Sequence, residues 1–176
     1  RVHGIQTWIA LPRAEEEREP SFAHHGAASL PRIERPGAIL TVIAGTAYGE
    51  RSPVDVFSPT LYVDAQLADG AAIEVPDEHQ QRACYVAQGR IEIAGQAYGE
   101  GQFIVLATAA GPVSITALQA SRVMLAGGAA LDGSRHLYWN FVSSTRERIE
   151  AASRDWREHR FAPVPGDAER IPLPDE

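Results

Sequence analysis

The sequence predicts an all-β jelly roll carrying a single C-terminal helix. Three observations point there. Eight short apolar runs recur between Ala38 and Gly128, rich in β-branched residues. Glycine and proline turn signals separate them, at Asp69-Gly70, Gln88-Gly89, Gly99 and Gly101, and Gly111-Pro112. The apolar period then changes to that of a helix after Phe141. Many short strands joined by tight turns favour two packed antiparallel sheets over a parallel α/β sheet.

The chain opens with "GIQTWIALP", in which Ile5, Thr7 and Ile9 alternate with Gln6, Trp8 and Ala10. That alternation predicts a strand closed by Leu11-Pro12. Because the chain starts at Arg1 inside such a segment, further residues are expected before it. Residues 13–37 form a connector: the charged loop "RAEEEREP", then "SFAHHGAASLPRIERPG", interrupted by Pro31 and Pro36. The strands follow as "AILTVIAG", "TLYVDAQL", "AAIEV", "RACYVAQG", "RIEIAG", "QFIVLA", "VSITALQ" and "RVMLAGG". Two near-identical tracts, "AGTAYGE" at 44–50 and "AGQAYGE" at 94–100, both read as turns between strands. The organisation expected is therefore a strand at 1–12, a connector at 13–37, a jelly roll at 38–135, and a helix with an extended tail at 136–176.

In "SSTRERIEAASRDWREHRF", Ser144 and Glu147 predict a capping box. Arg146, Glu150, Arg154 and Glu158 form an i, i+4 row of alternating sign on the solvated side. Ile149, Ala152 and Trp156 mark the buried face, with Trp156 expected to pack on the jelly roll. The tail "APVPGDAERIPLPDE" holds four prolines, which excludes a helix.

Composition limits function. The 176 residues carry a net charge of -7, and all 16 basic residues are arginine. An acidic chain lacks the cationic face that nucleic acids require, so no nucleic-acid partner is expected. No signal peptide or long apolar run is present, so no membrane partner is expected. The single cysteine, Cys84, sits in the apolar run "ACYVA" and reads as a small buried hydrophobe. One cysteine cannot form an internal disulfide, which suits a reducing compartment and predicts a cytoplasmic location.

The stretch "VPDEHQQRACYVAQGRIEIAGQAYGEGQFIVL" at 75–106 has its glycines where a cupin-type double-stranded jelly-roll barrel turns. Cupin barrels hold metal through G-x5-H-x-H-x3–4-E-x6-G, followed by G-x5-P-x-G-x2-H-x3-N. Two His one residue apart on a strand point the same way, and neighbouring strands complete an inward set of N and O ligands. Counted from Gly70, the paired His positions fall on Pro76 and Glu78, the carboxylate near Arg82 and the third His on Ile104. The turns are kept and the ligands are not, so no metal is expected in this chain. His24 and His25 are adjacent and would face opposite ways; His136 and His159 stand alone. Glu78, His79 and Arg82 are expected to line a polar mouth able to take a small acidic ligand. No residue is assigned as catalytic, and no nucleophile elbow, P-loop or dinucleotide fingerprint occurs.

"YWNFVSSTRERIEAASRDWREHRF" at 138–161, "PVPGDAERIPLP" and the opening "HGIQTWIALP" resemble segments of the pirin family, and the resemblance covers essentially the whole chain. The helix and the opening segment are specific; the glycine turns between are generic. The resemblance implies a bicupin whose N-terminal barrel binds a divalent metal, usually Fe, through three His and one Glu. None of those ligands maps onto this sequence, and His3 belongs to the closing segment. It implies that this chain is the C-terminal, metal-free cupin barrel, stabilising an N-terminal metal-dependent barrel with quercetin 2,3-dioxygenase-like activity. By itself the chain is then expected to be catalytically inactive. The alternative implied is a regulatory module of a redox-sensitive cofactor acting by protein contact. If residues 1–12 are a strand of the absent barrel, their uncovered apolar face predicts self-association, or folding back onto the chain's own jelly roll.

Overall fold

The computed structural model describes residues 4–108, 111–163, 165–166, 169 and 171–174. His3 lies outside them. Thirteen strands and one helix are present among these residues. In chain order they are β1 (Arg32–Arg35), β2 (Ala38–Ala47), β3 (Glu50–Arg51), β4 (Thr60–Leu67), β5 (Ala72–Val75), β6 (Gln81–Gln88) and β7 (Arg90–Ile93). Then come β8 (Gln96–Gly99), β9 (Phe103–Leu106), β10 (Val113–Ala117), β11 (Ser121–Gly128), β12 (His136–Tyr138), β13 (Phe141–Ser143) and α1 (Arg146–Arg157). The chain divides into two compact units, Glu19–Ala130, and Arg1–Arg18 with Leu131–Glu176.

The first unit is a jelly roll. A seven-stranded antiparallel sheet runs β1-β2-β4-β11-β6-β9, with β3 paired to β2, and a four-stranded sheet runs β5-β10-β7-β8. All eight expected strands form, with ends within about two residues. One core draws on both sheets: Leu40 and Val42 of β2, Val63 of β4, Cys84 and Val86 of β6 and Leu125 of β11 meet Ile73, Ile91 and Ile115 of the smaller sheet. Strand alternation produces this, since every second side chain turns inward. Among the described residues, no strand pair joins the two sheets into one closed ring.

The look-alike tracts fold differently. In "AGTAYGE" the strand continues to Ala47, and the turn is Tyr48-Gly49, both left-handed, joining β2 to β3. In "AGQAYGE" the turn is Ala94-Gly95, also left-handed, and residues 96–99 are strand β8. Both are two-residue hairpins of the kind whose twist matches the flanking strands. The reading of 94–100 as turn alone is therefore corrected: its second half is a strand.

In the second unit, β12 and β13 form a hairpin that packs on α1. Residues 4–12 form no strand, because no strand pairs with them among the described residues. Arg135 ties the unit together. Its side chain, only 5% exposed, lies 2.6 Å from Glu16 Oε1 and reaches Asp132 Oδ1 and the Leu11 carbonyl. The contact with Glu16 is an ion pair without hydrogen-bond alignment.

The cap of α1 is also a correction. Thr145, not Ser144, is the N-cap, and its hydroxyl accepts the Arg148 N–H at 3.3 Å. Ser144 is occupied elsewhere: its N–H and its hydroxyl both donate to Glu16 Oε2, at 3.1 and 2.7 Å. The i, i+4 row does not pair either; Glu158 binds Arg160, and Arg148 binds Glu17. Two of its three pairs, Arg146–Glu150 and Arg154–Glu158, have the cation first, which is the poorer order against the helix dipole. Trp156 joins Trp139, Phe141 and Phe161 in an aromatic cluster, with ring centroids 5.0 to 6.5 Å away. Its indole N–H donates to the Ile171 carbonyl at 2.9 Å, which ties the proline-rich tail to the helix.

Candidate functional site

The interior of the jelly roll is where a cupin would carry its chemistry, and its inward positions are readable from register. On β6 the inward residues are Arg82, Cys84 and Val86, all buried. On β9, Leu106 lies opposite Arg82, and Ile104 opposite Cys84. On β11, Gly127 and Leu125 lie opposite the same two residues. The end layer is thus Arg82, Leu106 and Gly127. Gly127 must be glycine, since a Cβ there would run into the Gln81 carbonyl oxygen.

Two of the three residues expected at the mouth come to this end. Arg82 is 4% exposed, and its Nη1 donates to the Pro76 carbonyl at 3.3 Å. His79 is 6% exposed, and its Nε2 lies 2.9 Å from the Thr46 carbonyl oxygen, so that nitrogen carries the proton. Both bonds bind the segment between β5 and β6 to the sheet. Glu78, on the same segment, is exposed to solvent. The segment between β5 and β6 is thus held against this end of the sheet.

Sequence reading missed Thr46, whose carbonyl holds His79, and Tyr48, which ties the β2–β3 turn to β5. The Tyr48 hydroxyl donates to the Glu74 carbonyl at 2.8 Å, and the Arg35 guanidinium lies 4.7 Å over its ring. Burial pushes the Tyr48 phenol up to about 12. The available signal was the "AYG" tract, whose tyrosine in a type I′ turn is an unusual choice that a buried, hydrogen-bonded ring explains.

A metal does not fit these residues. The layer offers a guanidinium, a thiol, Ile104 and Leu106, and a single imidazole, His79, cannot hold a metal without further N, O or S ligands. A guanidinium repels a divalent cation and has no lone pair to give. Burial pushes the Cys84 thiol up to about 11, which disfavours the thiolate that a metal needs. Among the described residues, no three His, Cys, Asp or Glu side chains cluster so as to hold a metal.

A cleft of about 630 Å³ in the first unit lies at the opposite end of the strands. It is lined by Arg35, Ala38, Gln66, Leu67, Ser121 and Arg122, among others. Two of its polar groups are already engaged: Arg122 grips Asp64 by two hydrogen bonds of 2.8 and 2.7 Å, and Ser121 bonds the Arg90 backbone. The Asp64 hydrogen bond raises the Arg122 pKa above its ordinary value. Paired charges in an open groove offer little to a ligand, so the Arg82 end remains the candidate site.

Comparison with known proteins bears on the whole chain. Residues 62–162 match the family described as the pirin C-terminal cupin domain. A pirin-like protein of Caulobacter vibrioides is 44% identical over 99% of this chain and 61% of its own length. Human pirin is 35% identical over 43% of this chain. A crystal structure of quercetin 2,3-dioxygenase from Acinetobacter baumannii superposes with a TM-score of 0.85 at 28% identity, over 95% of this chain and 56% of that one. The chain thus spans less than two thirds of the Caulobacter and Acinetobacter proteins.

Proposed function

This chain belongs to the pirin family, and from that premise we propose that it is the metal-free cupin half of a pirin-type bicupin. In this reading the chemistry is quercetin 2,3-dioxygenase-like and belongs to a separate N-terminal cupin barrel holding Fe or another divalent metal. The present chain supports that barrel and does not turn over substrate by itself. The observation that carries the proposal is that the carboxylate and third-imidazole positions of a catalytic cupin fall at Arg82 and Ile104, whose cross-strand neighbours are Leu106 and Cys84.

The test has two arms. The chain, purified without chelator or nickel, is analysed for metal by elemental mass spectrometry; substoichiometric metal is the expected result. Quercetin consumption is then compared between this chain and a pirin-type protein containing it together with an N-terminal cupin barrel. Turnover by the longer protein only, lost when its barrel ligands are replaced, is expected. One equivalent of metal that survives dialysis of this chain, or turnover by the chain alone, would sink the proposal.

The alternative, a regulatory module working by protein contact, is favoured by one feature. β9 is an edge strand of the large sheet, with Phe103 and Val105 exposed and no charge along it. Such an edge invites another strand. The opposite edge, β1, carries Arg32, Glu34 and Arg35 and is protected. No quercetin turnover by the longer metal-loaded protein would favour this alternative.

A further inference from the structure

Among the described residues Arg82 is the one buried arginine, and unlike Arg135 and Arg122 it has no carboxylate beside it. Arg135 has Glu16, Asp132 and a carbonyl; the partly exposed Arg122 has both oxygens of Asp64. Arg82 is 4% exposed, faces the interior, and makes a single long hydrogen bond, from Nη1 to the Pro76 carbonyl. Its Nε is buried without a partner, and no carboxylate pairs with it among the described residues. A guanidinium cannot shed its proton. A buried charge left unmatched is costly, and proteins rarely keep one without a counter-ion.

We propose that Arg82 is the seat of a small monocarboxylate, bound inside the jelly roll beneath the segment between β5 and β6. With Nη1 turned to Pro76, the free edge of the guanidinium is Nε and Nη2. That edge is the fork that accepts a planar carboxylate side-on through two parallel hydrogen bonds. Opposite Arg82, Gly127 adds no side chain, and Leu106 presents an apolar wall to the rest of the ligand. His79, on the covering segment, has its Nε2 held by Thr46 and its Nδ1 without a hydrogen-bond partner among the described residues. The covering segment exposes Asp77 and Glu78. These acids at the entrance favour a singly charged ligand over phosphate or a polyanion. Entry requires the segment to lift, which breaks the bonds to Pro76 and Thr46.

The site is independent of the metal question, since it needs neither a second barrel nor turnover. The test is titration of the intact chain with sodium acetate, sodium propionate and inorganic phosphate at constant ionic strength. Binding is followed by the thermal midpoint and by broadening of the ligand's own NMR signals. A saturable rise of the midpoint with acetate or propionate, and none with phosphate, is expected. Arg82→Met should weaken carboxylate binding by roughly tenfold or more, and Arg82→Lys, which keeps the charge but not the fork, by a smaller factor. Arg154→Gln, on the exposed helix face, should leave binding unchanged. Because Arg82→Met removes an unpaired buried charge, it should fold and lose little stability in carboxylate-free buffer. The proposal is overturned if neither carboxylate binds the unaltered chain, if phosphate binds equally, or if Arg82→Met binds as tightly. Collapse of Arg82→Met and Arg82→Lys alike, with no carboxylate response in the unaltered chain, would make Arg82 only a strut for the Pro76 segment.

Discussion

Cys84 shows how one buried side chain decides reactivity. It is fully enclosed between Leu125 and Ile104 on the neighbouring strands, and burial raises its pKa to about 11. At pH 8 roughly one molecule in a thousand would carry the thiolate, even if a reagent could reach it. Native protein is therefore expected to resist a disulfide-exchange reagent for hours, and to react at once in denaturant. Fast labelling of the folded chain would show that the interior opens far more often than its packing implies. The residue was legible as a small hydrophobe from "ACYVA". Arg82 was legible as a missing metal ligand and as one residue of a polar mouth, but not as a buried, unpaired charge. That it points inward, unpaired, emerges from register with β9 and β11, which a single strand does not reveal.

Turns and caps decide the elements. Ala94 adopts φ 51 in the β7–β8 hairpin, a left-handed conformation that costs a residue bearing a Cβ about 1 kcal/mol. Asn-Gly suits that turn better than Ala-Gly. Ala94→Asn is expected to raise the urea midpoint, by about 0.5–1 kcal/mol of stability, with an unchanged m-value. No gain would mean that neighbouring strands, not the turn, set the conformation. The N-terminus of α1 illustrates what local motifs omit. Ser144 satisfies the capping-box spacing, but Glu16, 128 residues away, captures its hydroxyl and N–H. A cap chosen by a distant carboxylate is invisible to any local pattern.

At the scale of the whole molecule, that carboxylate also links stability to pH. Burial pushes the Glu16 pKa up, but the hydrogen bonds from Ser144 and the charge of Arg135 outweigh it, and the pKa lies below the usual value of 4.5. Asp132 is lowered too, chiefly by its hydrogen bond from Arg135. A carboxylate with a depressed folded pKa contributes stability that is fully present above its unfolded pKa and is lost as pH falls through the folded one. Stability is therefore expected to fall below about pH 4.5, and Glu16→Gln should flatten that acid limb while lowering stability at pH 7. An acid limb as steep as that of the unaltered protein would remove Glu16 from the account.

The exposed opening segment sets association. Trp8 is 53% exposed, and with Ile9, Leu137 and Val142 it lines a groove in the second unit. Apolar surface of this kind is expected to bring copies of the chain together. Light scattering across a concentration series should show association, reduced by Trp8→Gln. A chain that stays monomeric throughout, with or without the substitution, would contradict this.

Strand alternation, glycine punctuation and the change of period after Phe141 are local, and they determined the class of fold, its eight principal strands and its helix. They also determined that the ligand positions of a catalytic cupin are empty of ligands. Tertiary structure decided the rest, because each remaining feature is a pairing across distance. A strand needs a strand beside it, so residues 4–12, with the right pattern and no strand paired to them among the described residues, stay irregular. "AGTAYGE" and "AGQAYGE" share their letters but turn at different places, since β2 continues along β4 while β7 stops and folds back on β8. Whether a buried charge is matched likewise depends on what the fold brings beside it: Glu16 comes to Arg135, Asp64 to Arg122, and no carboxylate among the described residues comes to Arg82.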